Sequence, residues 1–118
     1  MANPVVHFEV IGKDAKALQT FYKQAFDWQM AEPLPHLNYA IVEPKGGNGI
    51  NGGIGAGMEG YDGHATFYVG VPDIEAALSK IGALGGRTMY GPEDVPGGPR
   101  IALFKDPEGH VVGLVQTP

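Results

Sequence analysis

Apolar and polar residues alternate along Val5–Ile11, with Val6, Phe8 and Val10 on one side and His7 and Glu9 on the other. A period of two predicts a half-buried strand. From Asp14 the period changes. Leu18, Phe21, Tyr22 and Ala25 recur at i, i+3, i+4 and i+7, the stripe of an amphipathic helix over Asp14–Phe26 with Asp14 at its N-cap. Trp28 follows and is expected against the sheet. Pro33 and Pro35 mark a loop, Asn38–Glu43 reads as a strand, Pro44–Asn48 as a turn, and Gly49–Ala56 as a further strand despite its glycines.

The pattern then starts again. Shifting the chain by 59 residues lays His7–Asp14 over Thr66–Asp73 without a gap, placing Phe8 on Phe67, Val10 on Val69 and Asp14 on Asp73. Ala65–Val71 is a strand, Pro72-Asp73 opens a helix, and Ile74, Leu78, Ile81 and Leu84 form its apolar face. Gly85-Gly86 ends that helix. Thr88–Tyr90 is a short strand and Gly91–Pro99 a loop. Ile101–Phe104 and Val111–Val115 make a hairpin around residues 105–109, echoing Ala40–Gly46. Each half therefore reads β-α-β-β-β, and the chain is a duplication with modules 5–57 and 64–116 in one domain.

Composition narrows the function. The 118 residues carry a net charge of −5 and no Lys/Arg cluster, so neither nucleic acid nor an anionic membrane is expected as a partner. The absence of cysteine removes disulfides, thiolate metal sites and a Cys nucleophile together. Met-Ala-Asn-Pro has no basic, apolar leader, and no run approaches the roughly 18 apolar residues of a membrane span, so a cytoplasmic protein is expected. Ser79, the only serine, lies on the second helix outside any Gly-x-Ser-x-Gly, against a serine hydrolase. Gly47-x-Gly49-x-x-Gly52 and Gly55-x-Gly57-x-x-Gly60 match the dinucleotide pattern as text, but neither opens a helix that would supply the anion site.

Three stretches carry a family resemblance. His-Phe-Glu-Val-x-x-x-Asp from His7, with Phe21-Tyr22-Lys23-x-x-Phe26-x-Trp28, is one. Val71-Pro72-Asp73-Ile74-Glu75-Ala76-Ala77 followed by Gly85-Gly86 is the second, and Asp106-Pro107-Glu108-Gly109-His110-Val111-Val112-Gly113-Leu114 the third. In order and spacing, over roughly residues 5–116, the chain resembles the vicinal oxygen chelate superfamily of glyoxalases, bleomycin-resistance proteins and extradiol dioxygenases. The resemblance implies an α+β fold in which tandem βαβββ modules form a half-open curved β-barrel, with helices outside and a ligand on the concave face. It also implies a homodimer.

Metal-dependent members of that superfamily take His, Gln or Glu ligands from the first and last strands of each module. Here His7 stands at the first such position, but Thr66 stands at its counterpart, Gly113 at the closing position and Gly53 at the remaining one. One donor of four is too few for a divalent ion, so no metal and no other cofactor is expected. A set rebuilt from His7, Glu9 and His64 is the competing arrangement. His36 and His110 read as surface residues.

Strand parity directs His7, Glu9, Thr66 and Tyr68 to the cavity if Phe8, Val10, Phe67 and Val69 face the helices. Tyr39 and Phe104 are expected as aromatic walls and Gly113 as part of the lining, with Arg100 at the rim or exposed. The expected function is binding of a small organic molecule without metal. A glyoxalase-type lyase or isomerase moving a proton with His7 and Glu9 is the alternative. A dioxygenase would need a His/His/carboxylate set that Thr66 and Gly113 do not provide.

Overall fold

Strand β1 (Val5–Gly12) ends at a turn that places Asp14 at the N-cap of helix α1 (Ala15–Phe26). The Asp14 carboxylate accepts the Ala17 N–H at 3.0 Å, satisfying one of the donors a helix start leaves open. This computed structural model describes residues 2–34, 38–44 and 48–118, without the side chains of residues 32–34. His36 and the centre of the expected turn at 44–48 lie outside the described residues. Strands β2 (Gln29–Leu34), β3 (Tyr39–Glu43), β4 (Asn51–Ala56) and β5 (His64–Val71) follow, then helix α2 (Ile74–Ala83) and strands β6 (Arg87–Asp94), β7 (Arg100–Lys105) and β8 (Val111–Gln116). Both halves are thus βαβββ, as the repeat predicts.

Two compact units divide the chain: residues 7–65, and residues 66–118 together with residues 1–6. The first six residues join the second half because the Pro4 carbonyl accepts the Gly70 N–H at 2.8 Å.

In the first unit the strand order is β2-β3-β4-β1. β1 and β4 are parallel, pairing Glu9 with Gly53 and Val10 with Ile54, while β3 runs antiparallel to both β4 and β2. Ile54, Ala40 and Val42 are buried beneath α1 on the face that Val10 shares. The helix keeps Leu18 and Tyr22 of the predicted stripe on the sheet but turns Phe21 and Ala25 outward. Ala15, Leu18, Gln19 and Tyr22 turn inward, and Phe21 is 62% exposed. Gln19 is tolerated there because its Nε2 donates to the Ile54 carbonyl at 2.8 Å.

The second unit repeats the plan in the order β5-β8-β7-β6, with β5 and β8 parallel and Tyr68 opposite Gly113. Asp73 caps α2 as Asp14 caps α1, accepting the Ala76 N–H at 3.0 Å. Val71, Ile74, Ala102 and Leu114 form the core, with Val69, Ala77, Leu78, Ile81 and Phe104 packed on it. Leu84, expected on the apolar face, falls one residue past the helix and is 70% exposed.

Two predicted loops are strand in part, while residues 95–99 stay a loop and Pro35 lies outside the described residues. The chain at Pro33 belongs to β2, and β6 runs on through Pro92 to Asp94. Pro33 and Pro92 are themselves 59 residues apart, and in both units the register shifts at the proline, between Ala31 and Leu34 and between Tyr90 and Glu93. Each proline lies on the strand that ends its unit's order, where the missing N–H removes no bond to a further strand.

Candidate functional site

The face of the first unit opposite α1 carries His7 and Glu9, two residues apart on β1. Tyr39 starts β3, paired with Gly55, and its ring crosses β4 to reach them. Glycine makes the crossing possible. A Cβ at Gly55 would come within 2.7 Å of the Tyr39 ring, and one at Gly53 would stand 1.8 Å from the phenol oxygen. The glycines of β4 form a track on which the tyrosine lies.

At the end of that track the side chains form an unbroken hydrogen-bonded line. His7 Nε2 is 2.9 Å from the Tyr39 hydroxyl, and that hydroxyl donates to Glu9 Oε1 at 2.9 Å. Glu9 Oε2 is 2.7 Å from His64 Nε2, and His64 Nδ1 is 2.6 Å from the Tyr61 hydroxyl. Glu9 is only 7% exposed. Proton accounting orients the line. Tyr39 has one proton and gives it to Glu9, so His7 must donate from Nε2 to the phenol oxygen, which fixes its tautomer. An ionised Glu9 only accepts, so His64 donates from Nε2. Tyr61 then donates to a neutral His64 or accepts from a charged one.

Burial lowers the His7 pKa below 6.5, while the Glu9 charge pulls it upward by less. The ring is therefore neutral at pH 7. Burial, and secondarily Glu9, raises the Tyr61 pKa, so its phenol keeps its proton. Chemically, the line holds a neutral base at one end and a buried carboxylate bridging a phenol and a second imidazole. A proton can shift along it without any heavy atom moving far.

The residues predicted from sequence divide accordingly. His7, Glu9 and Tyr39 are brought together. His64, expected at a solvent-facing strand start or in a rebuilt metal set, is bonded to Glu9. Tyr61 was missed: it sits in a turn, its N–H bonded to the Met58 carbonyl, and only its place three residues before His64 signals it. In the second unit the Thr66 hydroxyl donates to the Val111 carbonyl at 2.6 Å. Tyr68 is buried over Gly113, where a Cβ would come within 2.6 Å of its ring. Phe104, expected as a cavity wall, packs instead on the α2 core, because it shares a face with Ala102 and not with Leu103, the partner of Gly113. Arg100 pairs with Glu75 and Asp94.

The donor set does not fit a divalent ion. Of the four positions that the resemblance implies, only His7 bears a ligating nitrogen, and its Nε2 is engaged with Tyr39. Both nitrogens of His64 and both oxygens of Glu9 are likewise hydrogen-bonded. Among the described residues no three His, Cys, Asp or Glu side chains are grouped for a metal. A cavity of about 440 Å³ lies on the other face of the unit, lined in part by Phe8, Phe26 and Trp28. Among the described residues no helix is long and apolar enough to cross a membrane.

Comparison with known proteins completes the picture. The family model for the Glyoxalase/Bleomycin resistance protein/Dioxygenase superfamily matches residues 5–114. CFP32 of Mycobacterium bovis, named as a candidate glyoxylase, is 29% identical over 79 residues, 67% of this chain and 30% of its own length. The chain thus spans about 30% of the length of the curated relative it matches. Among solved structures, a member of the same superfamily from Vibrio splendidus superimposes with a TM-score of 0.64 at 17% identity, over 98% of this chain and 100% of its own. Methylmalonyl-CoA epimerase from Mycobacterium tuberculosis gives 0.67 at 14% identity, over 97% and 87%. At such identities these two show the fold alone.

Proposed function

We propose that this chain, which belongs to the glyoxalase/bleomycin resistance protein/dioxygenase superfamily, binds a small organic molecule at the polar face of its first unit without a metal ion. The observation that carries the reading is the line His7–Tyr39–Glu9–His64–Tyr61. A buried carboxylate–imidazole pair adds little stability compared with apolar residues of the same volume. Keeping one, with two phenols and a further imidazole, on a face that small apolar side chains could fill supports a binding role. Polar groups fixed in orientation on an otherwise apolar surface are what select a small ligand.

A second reading is proton transfer on the bound molecule, as in a glyoxalase-type isomerase or lyase. The neutral His7 favours it, since its tautomer is held by a phenol that a carboxylate holds in turn.

Metal analysis of protein purified without chelators, with a thermal-shift screen against small aromatics and 2-oxoaldehydes, tests the first reading. Hits should weaken in Glu9→Gln and Tyr39→Phe. A stoichiometric divalent ion lost on His7→Ala would overturn the metal-free site, and hits indifferent to both substitutions would overturn its location. Incubating a hit in D₂O tests the second reading. Deuterium entering a carbon next to its carbonyl, and failing to enter with His7→Ala, marks turnover; no incorporation leaves binding alone.

A further inference from the structure

Phe8 stands between His7 and Glu9 on β1 and so points to the opposite face. Its ring lies over Gly52, where a Cβ would be only 2.0 Å away, and 5.3 Å from the Trp28 ring. Trp28 is 5.3 Å from Phe26 and stacks on Tyr22 at 9°. Phe8, Phe26 and Trp28 wall the cavity of about 440 Å³, which Val42, Pro44 and residues 48–50 also line. Its volume is that of a small-molecule site, and it shares no lining residue with the hydrogen-bonded line.

Among the described residues that line this cavity, the charges have one sign. Asp27 and Glu43 line it, and among the described lining residues they are the only charges. Asp27 is also the C-cap of α1, in the left-handed region at φ 56°. The cavity therefore opens at the carbonyl end of a 12-residue helix, where the helix dipole adds negative potential. Lys23, in the last turn, is outside the lining. Aromatic rings with negative faces, two carboxylates and a helix C-terminus favour the same guest.

We propose that this cavity is a second binding site, for a flat or aromatic organic cation such as a quaternary or protonated amine. The rings attract the cation through their quadrupoles and bury its apolar part, and Asp27 and Glu43 balance its charge.

Trp28 is the only tryptophan, so its emission reports on this site directly. Titration with benzyltrimethylammonium should change it saturably, with benzyl alcohol and 3-phenylpropionate binding more weakly. The double variant Asp27→Asn/Glu43→Gln should weaken the cation by about five-fold or more. Both side chains are exposed, and circular dichroism confirms the fold; Glu43→Gln alone serves if the pair is perturbed. Three results would overturn the proposal: no saturable change, equal binding of the uncharged or anionic probe, or an affinity untouched by the carboxylate substitutions. Loss of cation binding in Glu9→Gln with retention in the double variant would place the cation on the opposite face and overturn it too.

Discussion

The Tyr39 phenol occupies the space that a side chain at Gly53 would fill: a Cβ there would stand 1.8 Å from the hydroxyl oxygen. That space is thus taken by a phenol from the neighbouring strand, and the phenol joins His7 to Glu9.

Gly53→Ala should therefore act through Tyr39. The ring must swing off the strand, giving up its bond to the buried Glu9, at a cost of about 1–3 kcal/mol in urea unfolding. In a Tyr39→Ala background the same substitution should fall within about 0.5 kcal/mol of zero. An undiminished cost there would show that the clash is with something else.

Removing His64 takes away the imidazole that faces Glu9 Oε2. The Glu9 and His64 side chains are 9% and 8% exposed, and His64→Ala should cost about 3 kcal/mol. Glu9→Gln keeps an acceptor for Tyr39 and should cost about 1 kcal/mol. A double-mutant cycle should give a coupling energy above about 1 kcal/mol; additive losses would contradict the pairing.

His7 sets a pH dependence whose sign is defined. Its folded pKa lies below 6.5, so the unfolded chain binds the extra proton first as pH falls. Stability from this residue is present above pH 6.5 and is lost as pH drops from there through the folded value. Melting temperatures between pH 7.5 and 5 should fall more steeply for the wild type than for His7→Gln. A shallower wild-type slope would mean that the fold favours the charged ring.

Asp14 and Asp73 are equivalent caps, each accepting an N–H three residues on at 3.0 Å. Each Asp→Ala change should cost about 1 kcal/mol, and Asp→Asn much less. Thermal unfolding of the four variants checks this, and Asn variants no better than Ala would argue that the caps act through charge.

The duplication was legible because both modules use the same alternation, the same cap and the same closing hairpin. The prolines misled. A Pro argues against a strand only where its N–H would be needed, and nothing in the sequence says that Pro33 and Pro92 lie on end strands. The inward place of Gln19 was not legible either, since polarity alone does not reveal the Ile54 carbonyl that its amide meets. At the site, parity on β1 correctly put His7 and Glu9 on one face. Tyr61 and His64 could not be read with them, because their bonds to each other and to Glu9 depend on the path from β4 into β5, which no periodicity encodes.

The paired prolines have a consequence for how the molecule behaves among its own copies. A flat end strand offers a continuous row of amides and carbonyls on which a foreign strand can assemble, the first step toward cross-β aggregates. β2 and β6 each interrupt that row with a residue that has no N–H and with a break in register at the same repeat position. The same irregularity at equivalent places thereby discourages strand addition in both units, and replacing Pro33 and Pro92 with valine would invite it.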